Sequence, residues 1–130
     1  EIDEDSSLSI NLSGSDIDSE SIEFTVESDG NSSLSLNESI LTIEPNADFN
    51  GQILITVSLS DGDLVDSQIF TLIVNAINDA PILSNVENVS IEEDGVASII
   101  LSGSDVDSED LIYSISSGTD IIAAIEGLNL

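Results

Sequence analysis

The chain has 130 residues and carries 27 Asp plus Glu residues but no Lys, Arg or His, which gives a net charge of −27. Such a polyanion repels the phosphates of nucleic acids and the anionic headgroups of membranes, so the composition argues against both as partners. Hydrophobic residues still make up 40% of the chain. The composition therefore indicates a folded domain with a core rather than a disordered acidic segment.

The residues that the chain lacks also disfavour catalysis. It contains no cysteine, histidine or lysine, so it has no nucleophilic thiol or amine and no usual base for a serine nucleophile. Among 27 acids, carboxylate pairs arise by chance and do not indicate a glycosidase. No apolar run approaches the roughly 20 residues that span a bilayer. We therefore expect a protein that is not an enzyme and does not insert into a membrane.

Apolar and polar residues alternate in short runs along the first part of the chain, separated by turn sequences such as Asp29-Gly30 and Asn50-Gly51. A period of two is typical of half-buried strands. The pattern predicts seven strands, at about 2–4, 7–13, 21–27, 33–36, 40–44, 52–60 and 66–75. Seven short strands predict an all-β fold, an immunoglobulin-like Greek-key β-sandwich. We expect its core to include Leu12, Phe24, Val57 and Leu72, with Phe49 as the one aromatic residue outside a core-facing strand position.

The sequence Leu-Ser-Gly-Ser-Asp-x-Asp-Ser-Glu occurs twice, at Leu12–Glu20 and Leu101–Glu109, an offset of 101 − 12 = 89 residues. Internal repeats indicate tandem modules. We expect a first module at 1–79, a linker at 75–81 that Pro81 stiffens, and an incomplete second module at 82–130. This second module lacks the counterparts of strands six and seven, so we expect the chain to be a piece of a longer tandem array whose export signals lie elsewhere.

The repeated motif places carboxylates two residues apart, a pattern that suits Ca²⁺, which takes six to eight oxygen ligands. Carboxylates about 5 Å apart repel by roughly 3 kcal/mol at an effective dielectric constant near 20, and the chain has no cation of its own. The alternative is a solvated turn whose Asp and Ser side chains bind the backbone. An EF-hand is excluded, because its sixth position is Ser21 or Asp110 instead of glycine. The candidate half-sites are Asp16, Asp18 and Glu20, and Asp105, Asp107 and Glu109.

Other acids lie at turns, where local chemistry alone explains them. Asp48 precedes the predicted sixth strand and Asp61-Gly62 follows it, and both suit turns without a metal. Three successive acids end at Asp94; they indicate a nearby cation or a solvated edge strand that resists aggregation.

Several stretches resemble the cadherin-like, immunoglobulin-type tandem modules of large bacterial (RTX-type) surface adhesins. They are Pro45–Gly51, Ile55–Gly62, Val74–Pro81 and both copies of the repeated motif. The resemblance implies calcium-loaded sandwiches strung end to end as an extracellular stalk. The expected function is a calcium-binding spacer whose partners are neighbouring modules and a possible cell-surface or matrix target. The alternative is a module that binds a glycan or protein through exposed loops.

The resemblance also implies a ligand set at the junction of the two modules. It places Asp61, with Asp16 and Asp18, at the junction with a preceding module. The linker is one residue shorter than the animal form of this motif, so the number of ions is open. The implied metal ligands at this junction are Glu4 or Asp5, Asp48, Asn78 with Asp79, and Asp105 with Asp107, and the second-module counterparts of the first two are Glu93 and Asp94.

Overall fold

The computed structural model describes residues 1–19, 21–118 and 122–125. The chain divides into two compact units, Glu1–Ile77 and Asn78–Leu130. Within the described residues every regular element is a β-strand, and none of these residues belongs to a helix long and apolar enough to cross a bilayer.

The first unit contains seven strands at the places that the period-two pattern predicts. Their alternating burial follows the alternation of the sequence: in Glu23–Ser28, for example, exposed and half-buried residues take turns. The strands are β1 (Ile2–Asp3), β2 (Leu8–Asn11), β3 (Glu23–Ser28), β4 (Ser32–Asn37), β5 (Ile40–Pro45), β6 (Gly51–Ser60) and β7 (Val65–Asn75).

These strands form two sheets, in the orders β1-β7-β6-β3 and β2-β5-β4. The longest ladder joins β6 to β7 in antiparallel register from Gly51↔Val74 to Ser60↔Val65, whereas β1 pairs with β7 in parallel, with Ile2 opposite Val74. This division of the strands is the immunoglobulin arrangement. One sheet contains β2, β5 and β4, and the other contains β3, β6 and β7. The predicted fold class, an all-β immunoglobulin-like sandwich, is confirmed.

The core of the first unit comes from its last three strands. Its buried members are Leu41 and Ile43 of β5, Ile53 and Ile55 of β6, and Leu72 and Val74 of β7.

Residues of the other strands cover this cluster. Leu12 and Val57 pack against it while remaining partly exposed, and Phe24 is only half-buried. Phe49 lies between β5 and β6, outside any strand, as expected, and its side chain packs against the core as well. Its ring is close to Gly51 at the start of β6, because the segment before this strand folds back over the sandwich.

The outer faces of the two sheets differ in chemistry. Pairing of β2, β4 and β5 aligns Ser9, Thr42 and Ser35 across the three-stranded sheet, and the Ser9 and Thr42 hydroxyls lie 3.0 Å apart. On the four-stranded sheet, Leu54 is half exposed opposite Thr71. One sheet is therefore faced with hydroxyl groups, and the other with a mixture of threonine and aliphatic side chains.

The second unit has little regular structure in its described part. Ile82–Leu83 (β8) pairs in antiparallel with Gly103–Ser104 (β9). A Cβ atom at Gly103 would lie 2.9 Å from the carbonyl oxygen of Ile82, so the glycine of the repeated motif permits this close pairing. Ile99 remains 50% exposed.

Candidate metal centre

Two acids of the first unit meet where β1 ends and β6 is about to begin. The backbone N–H of Asp48 donates to the Asp5 carboxylate over 3.2 Å, and carboxylate oxygens of the two residues lie within 4.8 Å of each other. Both side chains are exposed, and both residues have a φ of 57°. Aspartate is among the few residues that tolerate this left-handed region, so the backbone turns both acids toward the same place.

Glu4, next to this pair, is the one buried polar residue of the described chain, with 7% of its surface exposed. Its N–H donates to the Asn75 carbonyl over 2.9 Å, which extends the β1–β7 pairing by one residue. Its carboxylate Oε1 accepts a 2.5 Å hydrogen bond from the N–H of Ile77. The Glu4 carboxylate is therefore hydrogen-bonded to the backbone at the C-terminal end of the first unit.

In the second unit, the acids of the repeated motif have two different roles. Asp105 Oδ1 accepts hydrogen bonds from the N–H groups of Asp107 at 2.8 Å and Ser108 at 2.9 Å, so it holds its own turn. Asp107 Oδ2 accepts a 2.6 Å hydrogen bond from the N–H of Asp79. The side chain of Asn78 donates to the Asp79 carbonyl over 2.6 Å. A hydrogen bond thus joins Asp79 of the linker to Asp107 of the motif within this unit.

The first copy of the motif has the same geometry. Asp16 Oδ1 accepts from the N–H groups of Asp18 at 2.8 Å and Ser19 at 2.6 Å. Ser19 bonds both the carbonyl and the N–H of Ser21, as Ser108 does with Asp110 in the second unit. The repeated motif therefore folds into the same turn in both units. The first aspartate of each copy fulfils the turn-forming alternative, and a metal role for it stays a prediction.

A third turn of this kind closes the β6–β7 hairpin. Asp61 Oδ1 accepts from the N–H groups of Asp63 at 2.8 Å and Leu64 at 2.7 Å. These bonds, with that to Leu64 the stronger, lower the pKa of the Asp61 carboxyl below its ordinary value. Asp63 takes the place that Asp18 and Asp107 have in the repeated motif. Sequence reasoning missed it, although the Asp-x-Asp spacing of Asp61-Gly62-Asp63 was visible.

The acids of the first unit lie at two opposite ends of β6. A Cβ atom at Gly14 would collide with the Leu59 side chain near the end of β6, which places the Asp16–Asp18 turn beside the Asp61 turn. Asp5 and Asp48 lie at the start of the same ten-residue strand, roughly 30 Å away. The structure thus places Asp16, Asp18 and Asp61 near one end of β6 and Asp5 and Asp48, with Glu4, near the other. These acids therefore form two separate groups.

The remaining candidates form no cluster of their own. Glu93, Asp94 and Glu109 are exposed. Asp94 has a φ of 63°, which matches its repeat counterpart Asp5, and Gly95 closes the local turn by donating to the Glu92 carbonyl over 2.9 Å. Glu93, unlike its counterpart Glu4, is not buried. Glu20 lies outside the described residues.

Oxygen atoms are the only metal ligands that these acidic side chains offer. Zinc sites use cysteine and histidine, which this chain lacks, whereas calcium takes carboxylates, carbonyls and water at a flexible coordination number. The adjacent Asp5 and Asp48 carboxylates have no cationic side chain anywhere in the chain to offset their charge. The donor set therefore fits a hard divalent cation.

Comparisons with known proteins agree with the fold and add the family. Neither a curated protein nor a solved structure matches the chain. A family model described as Bacterial Ig domain matches residues 1–73, which is more than half of the chain and spans almost all of the seven-strand sandwich. Because the match includes residues of all seven strands and five of the six buried core residues, the chain belongs to the bacterial immunoglobulin-like domain family.

Proposed function

We propose that this protein is a calcium-binding spacer module of an extracellular bacterial adhesin, and that calcium ions at the module junction stiffen it. Domains of this family commonly occur in surface or extracellular proteins. The observation that carries the proposal is the Asp5–Asp48 pair, whose oxygens lie within 4.8 Å of each other in a chain without any cationic side chain. The cation that offsets this charge has to come from solution.

Chain connectivity supports a role for the linker in the same ion site. Ile77 is fixed to Glu4, beside Asp5, and Asp79 follows only two residues later. Consecutive Cα atoms are 3.8 Å apart, so the backbone of Asp79 stays within about 8 Å of Ile77 Cα whatever its conformation. Asp107 is in turn hydrogen-bonded to Asp79. In the proposed site, oxygens of the linker and of Asp107 join those of Asp5 and Asp48 as calcium ligands.

The mechanism is electrostatic. In the absence of calcium, like charges on the two sides of the junction repel and bending is favoured. Bound calcium replaces this repulsion by attraction to acids of both units, so the junction resists bending. The partners of such a spacer are its neighbouring modules, and its adhesin has a cell-surface or matrix target.

Calorimetric titration with calcium tests the proposal, with magnesium as the ion control. Asp48→Asn removes one charge but keeps a residue that tolerates a φ of 57°, so it should weaken calcium binding without loss of the fold. Asp66→Asn is the matched control, because Asp66 is an exposed acid near the start of β7, at the other end of the sandwich. Absence of calcium binding by the unmodified protein would refute the proposal.

The outer face of the four-stranded sheet favours a second candidate, a module that binds a protein partner. Leu54 lies between Thr71 and the diagonal neighbours Ile69 and Ile73, and all three aliphatic side chains are substantially exposed. An apolar band on a strongly charged protein is typical of interaction sites. Loss of cell or matrix binding in Leu54→Ser, with calcium binding unchanged, would favour this candidate over the spacer.

A further inference from the structure

The segment that leaves the first unit and enters the second is held by a carboxylate on each side. Glu4 accepts from the N–H of Ile77 over 2.5 Å within the first unit. Asp107 accepts from the N–H of Asp79 over 2.6 Å within the second. Hydrogen bonds to ionised acceptors are short and about twice as strong as neutral ones.

We propose that these two hydrogen bonds, termed the linker latches, confine the joint between the units to the backbone dihedrals of Ile77 and Asn78. Each residue contributes two soft dihedrals, because the peptide bond itself is planar. Between the latched nitrogen of Ile77 and that of Asp79 there are therefore only four rotatable bonds. The inference goes beyond the ion site of the proposed function, because neither latch requires a metal.

The two acceptor residues, Glu4 and Asp107, are each held in place by further hydrogen bonds, so they can restrain the linker N–H groups that they bind. Glu4 is 93% buried, since only 7% of its surface is exposed, and its own N–H is bound to the Asn75 carbonyl. The N–H of Asp107 is held by the Asp105 carboxylate. Asp105 is therefore a positioning residue: it fixes the turn from which Asp107 reaches the linker.

The repeat places acids at the same two positions in both units. The counterpart of Asp107 is Asp18, and its N–H is held by Asp16 over 2.8 Å, as that of Asp107 is by Asp105. The counterpart of Glu4 is Glu93. Each unit thus has an acid at the position of Asp107 and another at the position of Glu4, although only Glu4 of the latter pair is buried.

A latch and a metal ligand make different demands on the side chain, and this separates the two ideas experimentally. A latch requires an acceptor oxygen on a side chain of the right length. Glutamine in place of glutamate, or asparagine in place of aspartate, also provides one. A calcium ligand at this junction gains mainly from its negative charge. Amide variants should therefore keep most of the latch while weakening calcium binding, and alanine variants should lose both.

The test is amide hydrogen exchange of the full chain, followed by NMR in the presence of a calcium chelator. In Asp107→Ala the N–H of Asp79 should exchange about tenfold faster or more, and Asp107→Asn should restore most of the protection. Glu4→Ala and Glu4→Gln should act in the same way on Ile77. Asp66→Ala is the control and should change neither amide.

Exchange at the Ile55 N–H in the core shows whether a variant has weakened the whole first unit. If Glu4→Ala accelerates Ile55 as well, the Asp107 variants decide the question, because Asp107 lies in the other unit. Equal exchange of Asp79 in the wild type and in Asp107→Ala, with chelator present, would overturn the inference even if calcium binds. Conversely, protected linker amides in a protein that fails to bind calcium would support the latches and refute the proposed function.

Discussion

The two units share a sequence pattern but differ in the way they bury it. In the first unit, Ile10 and Val26 pack against the core. Their counterparts 89 residues later, Ile99 and Ile115, are 50% and 44% exposed. The repeated Asp-x-Asp turns nevertheless have the same hydrogen bonds in both.

This difference shows which part of the repeat makes the core and which part makes the turns. All six buried core residues of the first unit belong to β5, β6 and β7, whereas the described part of the second unit contains only the two short strands β8 and β9. The Asp-x-Asp turns depend on neighbours two and three residues away, so they form in either context. Burial of the early strands depends on partners 27 to 37 residues further along, from Ser28↔Ile55 (55 − 28 = 27) to Glu23↔Ser60 (60 − 23 = 37).

The largest effect should come from the first-unit core. Ile55→Ala should destabilise the first unit by about 2–5 kcal/mol, because it removes a fully buried side chain and leaves a cavity. Ile10→Ala should cost less, and its counterpart Ile99→Ala should be close to neutral, since Ile99 is half exposed. Urea unfolding followed by circular dichroism measures all three. A similar loss of stability in Ile10→Ala and Ile99→Ala would remove the contrast between the units.

Calcium removal should have the next largest effect. A ligand that binds only the folded state stabilises it by about 2.7 kcal/mol at 100 times its Kd, which corresponds to roughly 10–20 °C in the melting temperature of a domain this small. Magnesium should substitute poorly, because it prefers a smaller octahedral site. Scanning calorimetry in millimolar calcium, magnesium or chelator checks this. Superimposable curves in all three would count against a calcium site.

Hydrogen exchange should also separate the two units. Amides of β6, which lies between two strands, should be the best protected, whereas those around Ile99, Ile112 and Ile115 should exchange faster. These aliphatic residues are exposed, and unpaired strand edges associate readily, so the protein should also self-associate as its concentration rises. Mass spectrometry and analytical ultracentrifugation measure the two effects. Uniform protection together with a strict monomer would contradict the prediction.

The smallest effect concerns the hairpin turn at Asp61. Its pKa is lowered by the N–H groups of Leu64 and Asp63, so ionised Asp61 stabilises the folded state above the unfolded-state pKa, near 3.8. This contribution is lost as the pH falls through the lower folded-state pKa. Carboxyl titration by NMR should place the pKa of Asp61 in the folded protein below its unfolded-state value, because the N–H groups of Leu64 and Asp63 favour the ionised form. Asp61→Asn keeps an acceptor oxygen and should change stability little near neutral pH; a large loss there would show a further role for the charge.

Local pattern was sufficient to predict much of this fold. Seven strands follow from the period-two alternation, since each strand buries one face whatever its partner. The turn-forming role of Asp16 and Asp105 also follows from sequence, because their acceptors reach only two or three residues ahead. The centre of the core was not predicted: Leu72 is fully buried as expected, but Phe24 is not, because strand pairing decides which inward position lies at the middle.

Contacts across long sequence separations were beyond the pattern alone. Asp5 meets Asp48 across 43 residues, and Glu4 meets Ile77 across 73; only the resemblance to adhesin modules placed these acids together. Asp29 shows the opposite error. It belongs to a simple turn by sequence, yet its side chain accepts from the N–H of Leu54 over 3.1 Å, a contact across 25 residues that the local pattern does not predict.

The parallel pairing of β1 with β7 has a mechanical consequence. A pull applied to Glu1 and Ile77 in opposite directions slides β1 along β7, because the two strands run the same way. The backbone bonds of Ile2, Asp3 and Glu4 then share the load in shear and do not open one after another. The resistance of the first unit to tension is therefore concentrated in its shortest strand, and single-molecule stretching should find its first rupture there.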